Sequence, residues 1–287
     1  MSLLLQGDSR HIPLKDESVA LCVTSPPYNV GVKYDTWRDD KMTTGEYRHF
    51  LREVWTDCYR VLKRGGRIAV NSPCLGNSPQ QGKGKGFIPH LSYMTESLIE
   101  AGFTLRETIT WVKTNSDQVK DIDSNFCGNN TAWGSWNSPS NPFCRSFSEF
   151  IIVAHKETPK LPWRGHSDLT RDEFLLYTRN VWLMQTRSDP NHPAPFPEEL
   201  PTRLIKLYTY IGDTVLDPFV GSGTTVSAAT KLGRRGIGID VSYNYLHRAQ
   251  LELAQLEGKF ELAQQLLRQA PAKKKLEDLP MFANIST

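Results

Sequence analysis

The chain has 287 residues, 39% apolar and 23% charged, with 34 Lys and Arg against 31 Asp and Glu and a formal net charge of +3. This globular composition excludes a disordered chain and, at roughly 150 residues per domain, predicts one large or two modest domains. No run approaches the roughly 20 consecutive apolar residues of a membrane helix, and the opening MSLLLQGDSRHIP lacks the basic region, apolar run and cleavage site of a secretory signal, so a cytoplasmic protein with no membrane partner is expected.

Short β-rich runs alternate with helical stretches, which predicts an α/β domain with a mainly parallel sheet. Leu3-Leu4-Leu5 reads as a strand ending in a turn at Gly7-Asp8, and Val19–Thr24 as a second strand stopped by Ser25-Pro26-Pro27-Tyr28. Phe50, Leu51, Val54, Trp55, Tyr59 and Leu62 fall near helical spacing and predict a helix from Thr44 to Leu62. Gly65-Gly66 leads into a strand at Arg67–Val70, and a helix over 89–101 closed at Gly102 precedes a strand at Thr104–Val112. Between Lys113 and about Arg145 the periodicity fails and Asn, Ser, Gly and Trp dominate, which reads as a functional insertion or a disordered loop, the tryptophans favouring the insertion. Phe150–Ala154 reads as a buried strand, and Pro197 as the first turn of a helix with Leu200, Leu204, Leu207 and Tyr208 on one face. A strand at Val215–Asp217, a helix at Gly223–Leu232 and a strand at Arg235–Asp240 follow. Leu246, Leu253, Phe260 and Leu267, seven apart, predict one long helix from Ser242 to about Gln269.

Five cysteines, Cys22, Cys58, Cys74, Cys127 and Cys144, are scattered without a close pair, so reduced thiols are expected rather than a disulfide framework. His155, His166 and His192 are too far apart for metal-ligand spacing, and no metal is expected.

Two motifs carry chemistry. Val215-Leu216-Asp217-Pro218-Phe219-Val220-Gly221-Ser222-Gly223-Thr224-Thr225 is a strand, a glycine turn and a helix start. Glycines let the backbone approach a ligand closely, and a helix amino end offers free N–H groups to an anion. Asp240 ends the next strand, where an acidic side chain can take two ribose hydroxyls. A nucleoside cofactor with an anionic group fits, whereas the Gly-Lys-Ser/Thr ending of a triphosphate loop is missing. The second motif is Thr24-Ser25-Pro26-Pro27-Tyr28-Asn29 at a strand end. Its two prolines fix the backbone and remove two donors, leaving carbonyls, a hydroxyl and an aromatic face as a cage for a planar group bearing an amine.

Together these residues resemble the beta group of the S-adenosylmethionine-dependent DNA amino-methyltransferases. Ser25-Pro26-Pro27-Tyr28 is similar to the family's catalytic motif and Asp217–Thr225 to its cofactor motif, while His192-Pro193-Ala194-Pro195-Phe196-Pro197, Gly7-Asp8 and Trp111-Val112-Lys113 resemble flanking elements in the same order. The resemblance implies a Rossmann-like seven-stranded sheet with one antiparallel strand, helices on both faces and a small target-recognition insertion. It divides the chain into a catalytic part at 1–112, a target-recognition region at 113–187, a cofactor-binding part of the same domain at 188–270 and a tail at 271–287. It places S-adenosylmethionine against Asp8, Pro193, Phe196, Asp217, Phe219, Gly221, Ser222, Gly223, Thr224 and Asp240. Ser25, Pro26, Pro27 and Tyr28 would then act on an exocyclic amine of a base flipped from double-stranded DNA. Serine at position 25, where adenine enzymes of the family usually carry aspartate, favours cytosine N4. Adenine N6 and an inactive DNA-binding relative are the alternatives.

Charge points the same way. From Arg60 to Lys113, eight basic residues (Arg60, Lys63, Arg64, Arg67, Lys83, Lys85, Arg106, Lys113) face three acidic ones (Glu96, Glu100, Glu107), a local surplus suited to a polyanion. Lys83 and Lys85 in a glycine-rich loop read either as phosphate contacts or as a solvated loop, and Trp133, Trp136 and Arg145, with Lys113 beside them, either as DNA contacts or, for the tryptophans, as anchors of a small subdomain. A cognate restriction endonuclease and a homodimer are expected as further partners. Leu276-Glu277-Asp278-Leu279-Pro280-Met281-Phe282 reads either as a terminal staple on the domain or as a peptide for the replication sliding clamp.

Overall fold

A computed structural model describes residues 2–30, 42–77, 87–114, 135, 137–142, 144, 146–186, 196–259, 261–262 and 265–266. Lys83, Lys85, Trp133, Trp136, Arg145, Pro193 and the tail lie outside the described residues.

The first half of the chain forms β1 (Leu3–Gln6), β2 (Val19–Thr24), α1 (Thr44–Val61), β3 (Leu62–Ser72), a small hairpin of β4 (Gly76–Asn77) and β5 (Phe87–Ile88), α2 (His90–Glu100) and β6 (Thr104–Thr114). The second half forms β7 (Ser148–His155), α3 (Arg171–Tyr177), β8 (Val181–Gln185), α4 (Glu199–Tyr208), β9 (Thr214–Asp217), α5 (Thr224–Lys231), β10 (Arg235–Asp240) and α6 (Tyr243–Leu256).

Among the described residues the main sheet has eight strands in the order β1-β10-β9-β2-β3-β7-β6-β8. All neighbours pair in parallel except at β7, which runs antiparallel to both β3 and β6. The expected Rossmann-like sheet with one antiparallel strand is present, and β8 joins it as an eighth strand at the edge beyond β6. That strand alternates exposed Val181, Leu183 and Gln185 with buried Trp182 and Met184, the pattern of an element with one covered face. Residues 113–187, expected as the target-recognition region, therefore supply two strands of this sheet.

Both faces are covered by helices. On one, Tyr47, Leu51, Val54, Trp55 and Cys58 of α1 and Met94 and Leu98 of α2 pack on Cys22, Ile68 and Val70. On the other, Leu200, Leu204 and Ile205 of α4 and Ala228 and Ala229 of α5 pack on Leu21, Val23, Ala69 and Val215. Helix α1 begins with a capping box in which the Glu46 N–H donates to Thr43 Oγ1 and the Thr43 N–H donates to the Glu46 carboxylate at 2.8 Å, satisfying two amide donors at the amino end. The long helix expected after Ser242 is shorter: α6 ends at Leu256 because Gly258 adopts φ +71° and Lys259 N–H closes back on the Ala254 carbonyl at 2.8 Å, a glycine stop that the seven-residue spacing overran.

Candidate active site

Strand order reverses between β2 and β9. From β2 the chain passes through α1 to β3 on one side, and from β9 through α5 to β10 on the other. The crevice outside the carboxyl ends of strands at such a reversal is the general ligand site of open α/β sheets. Both sequence motifs end there, the Ser-Pro-Pro-Tyr corner on β2 and the glycine turn on β9.

In the glycine turn, Gly221 has φ +48° and Gly223 φ +89°. A Cβ on Gly223 would sit 2.8 Å from Ala249 Cβ on α6, so only glycine allows both the left-handed backbone and this approach. Gly223 caps α5, whose first residues Thr224 and Thr225 are buried behind the turn. Asp240, at the end of β10, braces the turn: its Oδ2 accepts the Gly221 N–H at 3.0 Å and its Oδ1 the Ser242 N–H at 2.8 Å. Burial pushes its carboxyl up to about 6 against the pull of these amide bonds. Each oxygen keeps further lone-pair capacity for a ligand hydroxyl.

Asp217 takes a different part from that expected of a cofactor contact. It is 1% exposed; its Oδ1 accepts from Thr24 Oγ1 at 2.7 Å and from the Phe219 N–H at 3.1 Å, and its Oδ2 accepts from Thr225 Oγ1 at 2.7 Å. Burial raises its carboxyl to about 6 despite these donors. Both oxygens are engaged inside the protein, so Asp217 ties β2, β9 and α5 together behind the crevice instead of facing it.

At the second motif, Ser25 and Tyr28 are half-buried and Pro26 is buried. Ser25 Oγ lies 2.6 Å from the Tyr28 hydroxyl. The Pro27 carbonyl accepts from the Tyr47 hydroxyl at 2.9 Å, and Asn29, at φ +53°, clamps the Met42 backbone with its amide, donating from Nδ2 at 2.7 Å and accepting at Oδ1 at 2.8 Å. The corner is thus fixed from both sides. Behind it the buried His90 ring lies 6.0 Å from the rings of Tyr28 and Tyr47. Burial lowers His90 to about 4, so the ring is neutral at ordinary pH.

The remaining expected residues divide. Asp8 lies just past β1 and its carboxylate is held by Arg10 at 2.6 Å; burial works against its ionised form but is outweighed by the Arg10 bonds, and its carboxyl sits below the usual range. Phe219 packs on Phe50 and Trp55 with ring centroids 5.8 and 6.4 Å apart. Phe196 is half-buried against the cluster formed by α4 and α5. Ser222 Oγ is 3.5 Å from Thr224 Oγ1. Lys113, expected on DNA, has its ammonium bonded to Glu149 and lies 5.2 Å from the centroid of the Trp111 ring.

Tyr47, Asn71 and Glu149 lie outside the sequence motifs, while Thr24 and Thr225 lie inside them without a role assigned from sequence. Asn71 carried a signal, a polar residue directly after the apolar run Ile68-Ala69-Val70 at the carboxyl end of a strand.

An open α/β sheet whose reversal point joins a glycine turn and a strand-end carboxylate to a rigid proline corner has the architecture of the Rossmann-like methyltransferase class. The chain belongs to the DNA methylase family, whose model matches residues 19–251, and is a beta-class S-adenosylmethionine-dependent DNA amino-methyltransferase. It is 31% identical over 276 residues to type II methyltransferase M.MjaI of Methanocaldococcus jannaschii, across 83% of this chain and 86% of that protein. Among solved structures it is similar to a DNA modification methylase of Thermus thermophilus in complex with S-adenosyl-L-methionine, with a TM-score of 0.67 and 25% identity, covering 89% of this chain and 94% of that one. The PvuII DNA methyltransferase shares the fold at a TM-score of 0.63 and 22% identity, over 92% of each chain. The crevice fits the family's cofactor: Asp240 has acceptor capacity beside the glycine turn.

Proposed function

We propose that the chain methylates the exocyclic N4 amine of cytosine in double-stranded DNA, on a base turned out of the helix. The observation that carries this reading is Ser25 at the crevice end of β2, an uncharged hydroxyl 2.6 Å from Tyr28 where adenine enzymes of the family usually hold aspartate. In this reading Asp240 receives the ribose hydroxyls, the Phe219–Thr224 turn the methionine part, and Asp8, shared with Arg10, the adenine amine. Phe196 lines the same pocket.

The exocyclic amine is a weak nucleophile because its lone pair is delocalised into the ring. Ser25 Oγ and the Pro26 carbonyl accept hydrogen bonds from its two N–H groups and draw the nitrogen towards tetrahedral geometry, exposing the lone pair along the line of transfer. Tyr28 stacks on the flipped base. The cofactor supplies a methyl group already activated on a sulfonium.

The type II methyltransferases among its relatives support a place in a restriction–modification system, with a cognate endonuclease as partner and cytoplasmic DNA as substrate. The test is to incubate the protein with unmethylated genomic DNA and labelled S-adenosylmethionine, digest the DNA and separate the nucleosides. Label in N4-methylcytosine supports the proposal, and label confined to N6-methyladenine rejects the base assignment.

A further inference from the structure

Behind Ser25 runs a polar chain that crosses three strands. Asn71 on β3 pairs directly with Ile151 on β7, and Glu149, two residues earlier on β7, shares that face and reaches the Asn71 side chain. Trp111 on β6 pairs with Glu149, which brings Lys113 to the other carboxylate oxygen. Asn71 Nδ2 donates to Glu149 Oε2 and, at 3.0 Å, to the Tyr28 hydroxyl, while Lys113 Nζ donates to Glu149 Oε1. Asn71 is 2% exposed, and its Oδ1 has no partner among the described residues.

We propose that Asn71, held by Glu149, is a positioning residue that sets the direction of the Ser25–Tyr28 hydrogen bond. An ionised carboxylate only accepts, so Glu149 fixes the amide with nitrogen towards Tyr28 and oxygen away from it. The Tyr28 oxygen then accepts from Asn71, and among the described residues its single proton can go to Ser25 Oγ at 2.6 Å or to the Asn71 backbone carbonyl at 3.3 Å. The shorter contact prevails. Ser25, having accepted from Tyr28, keeps its own proton and a lone pair for the ligand. That donor and acceptor match a base edge with an amine beside an unprotonated ring nitrogen, as in cytosine or adenine. Thymine and guanine carry a ring N–H there.

This inference rests on the methyltransferase reading, and Asn71→Asp tests it. An ionised carboxylate at this position accepts from Tyr28, so Ser25 must give its proton to Tyr28. The titratable groups facing the position are Tyr28 from the loop after β2, Glu149 from β7 with Lys113 of β6 beyond it, and His90 of α2 behind Tyr28. A carboxyl carries at most one proton where the amide carries two, and beside Glu149 that proton is shared with the Glu149 carboxylate, so the variant does not restore the donor to Tyr28. Expected is a kcat on unmethylated genomic DNA about tenfold or more below wild type, with S-adenosylmethionine affinity unchanged and no further loss when Asn71→Asp is added to Tyr28→Phe. No deficit, or a full additional loss in the Tyr28→Phe background, overturns the proposal. Should N71D lose its melting transition, Glu149→Gln decides: lower kcat with unchanged DNA KM and melting temperature supports the arrangement, and wild-type kcat rejects it. Wild-type protein that transfers no methyl group to DNA overturns the functional reading and this inference with it; active wild type in which N71D costs as much without the Tyr28 hydroxyl as with it overturns this inference alone.

Discussion

The Thr24 hydroxyl on β2 donates to Asp217 on β9 at 2.7 Å, joining the strand that carries the Ser-Pro-Pro-Tyr corner to the strand that carries the glycine turn. The second Asp217 oxygen binds Thr225 on α5, so one buried carboxylate sets the distance between the methyl donor's turn and the acceptor's corner. In-line transfer depends on that distance, because misplacement by about 1 Å can cost 100-fold in rate.

Replacing Asp217 with Ala therefore acts on both halves of the reaction. It leaves the Thr24 and Thr225 hydroxyls and the Phe219 N–H without their acceptor, at roughly 1 to 3 kcal/mol for each buried group left unpaired. We predict a lower melting temperature together with weakened S-adenosylmethionine binding, read by thermal melting and calorimetric titration of the same protein. Wild-type affinity in this variant would separate the tie from the pocket.

In its proposed role as ribose acceptor, Asp240 gives the binding step a pH dependence. Its carboxyl, pushed up to about 6, must be ionised to accept ribose hydroxyls while holding Gly221 and Ser242. We predict a cofactor Kd that is flat above about pH 7 and rises below about 6, approaching tenfold per pH unit. Asp240→Asn should bind more weakly with this slope removed, and an unchanged slope would assign the titration to another group.

His90 makes stability, rather than binding, depend on pH. Its folded value of about 4 lies below the ordinary 6.5, so between those values the unfolded chain binds the additional proton. The contribution is present above pH 6.5 and is lost as pH falls towards 4, the loss reaching about 2 kcal/mol at pH 5. Asp217 and Asp240, both raised to about 6, act in the opposite sense, being favoured when protonated. The comparison is consequently between wild type and His90→Leu: on moving from pH 7 to pH 5 the wild-type melting temperature should fall further than the variant's. Parallel falls would show that His90 does not titrate in this window.

Tyr28 is predicted to act on the base and not on the cofactor. Stacking contributes roughly 1 to 3 kcal/mol per base, so Tyr28→Ala should lower methylation between about fivefold and 150-fold while S-adenosylmethionine affinity stays near wild type. Equal loss of both, measured by labelled transfer and by titration, would make Tyr28 a structural prop of the corner.

Much of this architecture is legible locally. The strand-turn-helix punctuation around Gly221 and Gly223, the proline stop after Thr24 and the terminal Asp240 all lie within short windows, and each is written in backbone chemistry that one residue type supplies. The polar chain behind Ser25 is not, because Asn71 and Glu149 meet only once β7 enters the sheet antiparallel beside β3, an order that no local pattern encodes. Strand β8 escaped notice because Trp182 and Met184 are its two inward residues and the rest of it is exposed. The family resemblance marked Asp217 as part of the cofactor motif, but the paired hydroxyls that turn it inward, Thr24 and Thr225, become visible only when β2 and β9 are neighbours.

The measurement that bears most directly on the central claim is the nucleoside content of DNA from a host without DNA methylation of its own that expresses this chain. Wild-type protein should deposit N4-methylcytosine, and Ser25→Ala should leave little or none. N6-methyladenine in place of N4-methylcytosine, or equal modification by wild type and the Ser25 variant, would contradict the account.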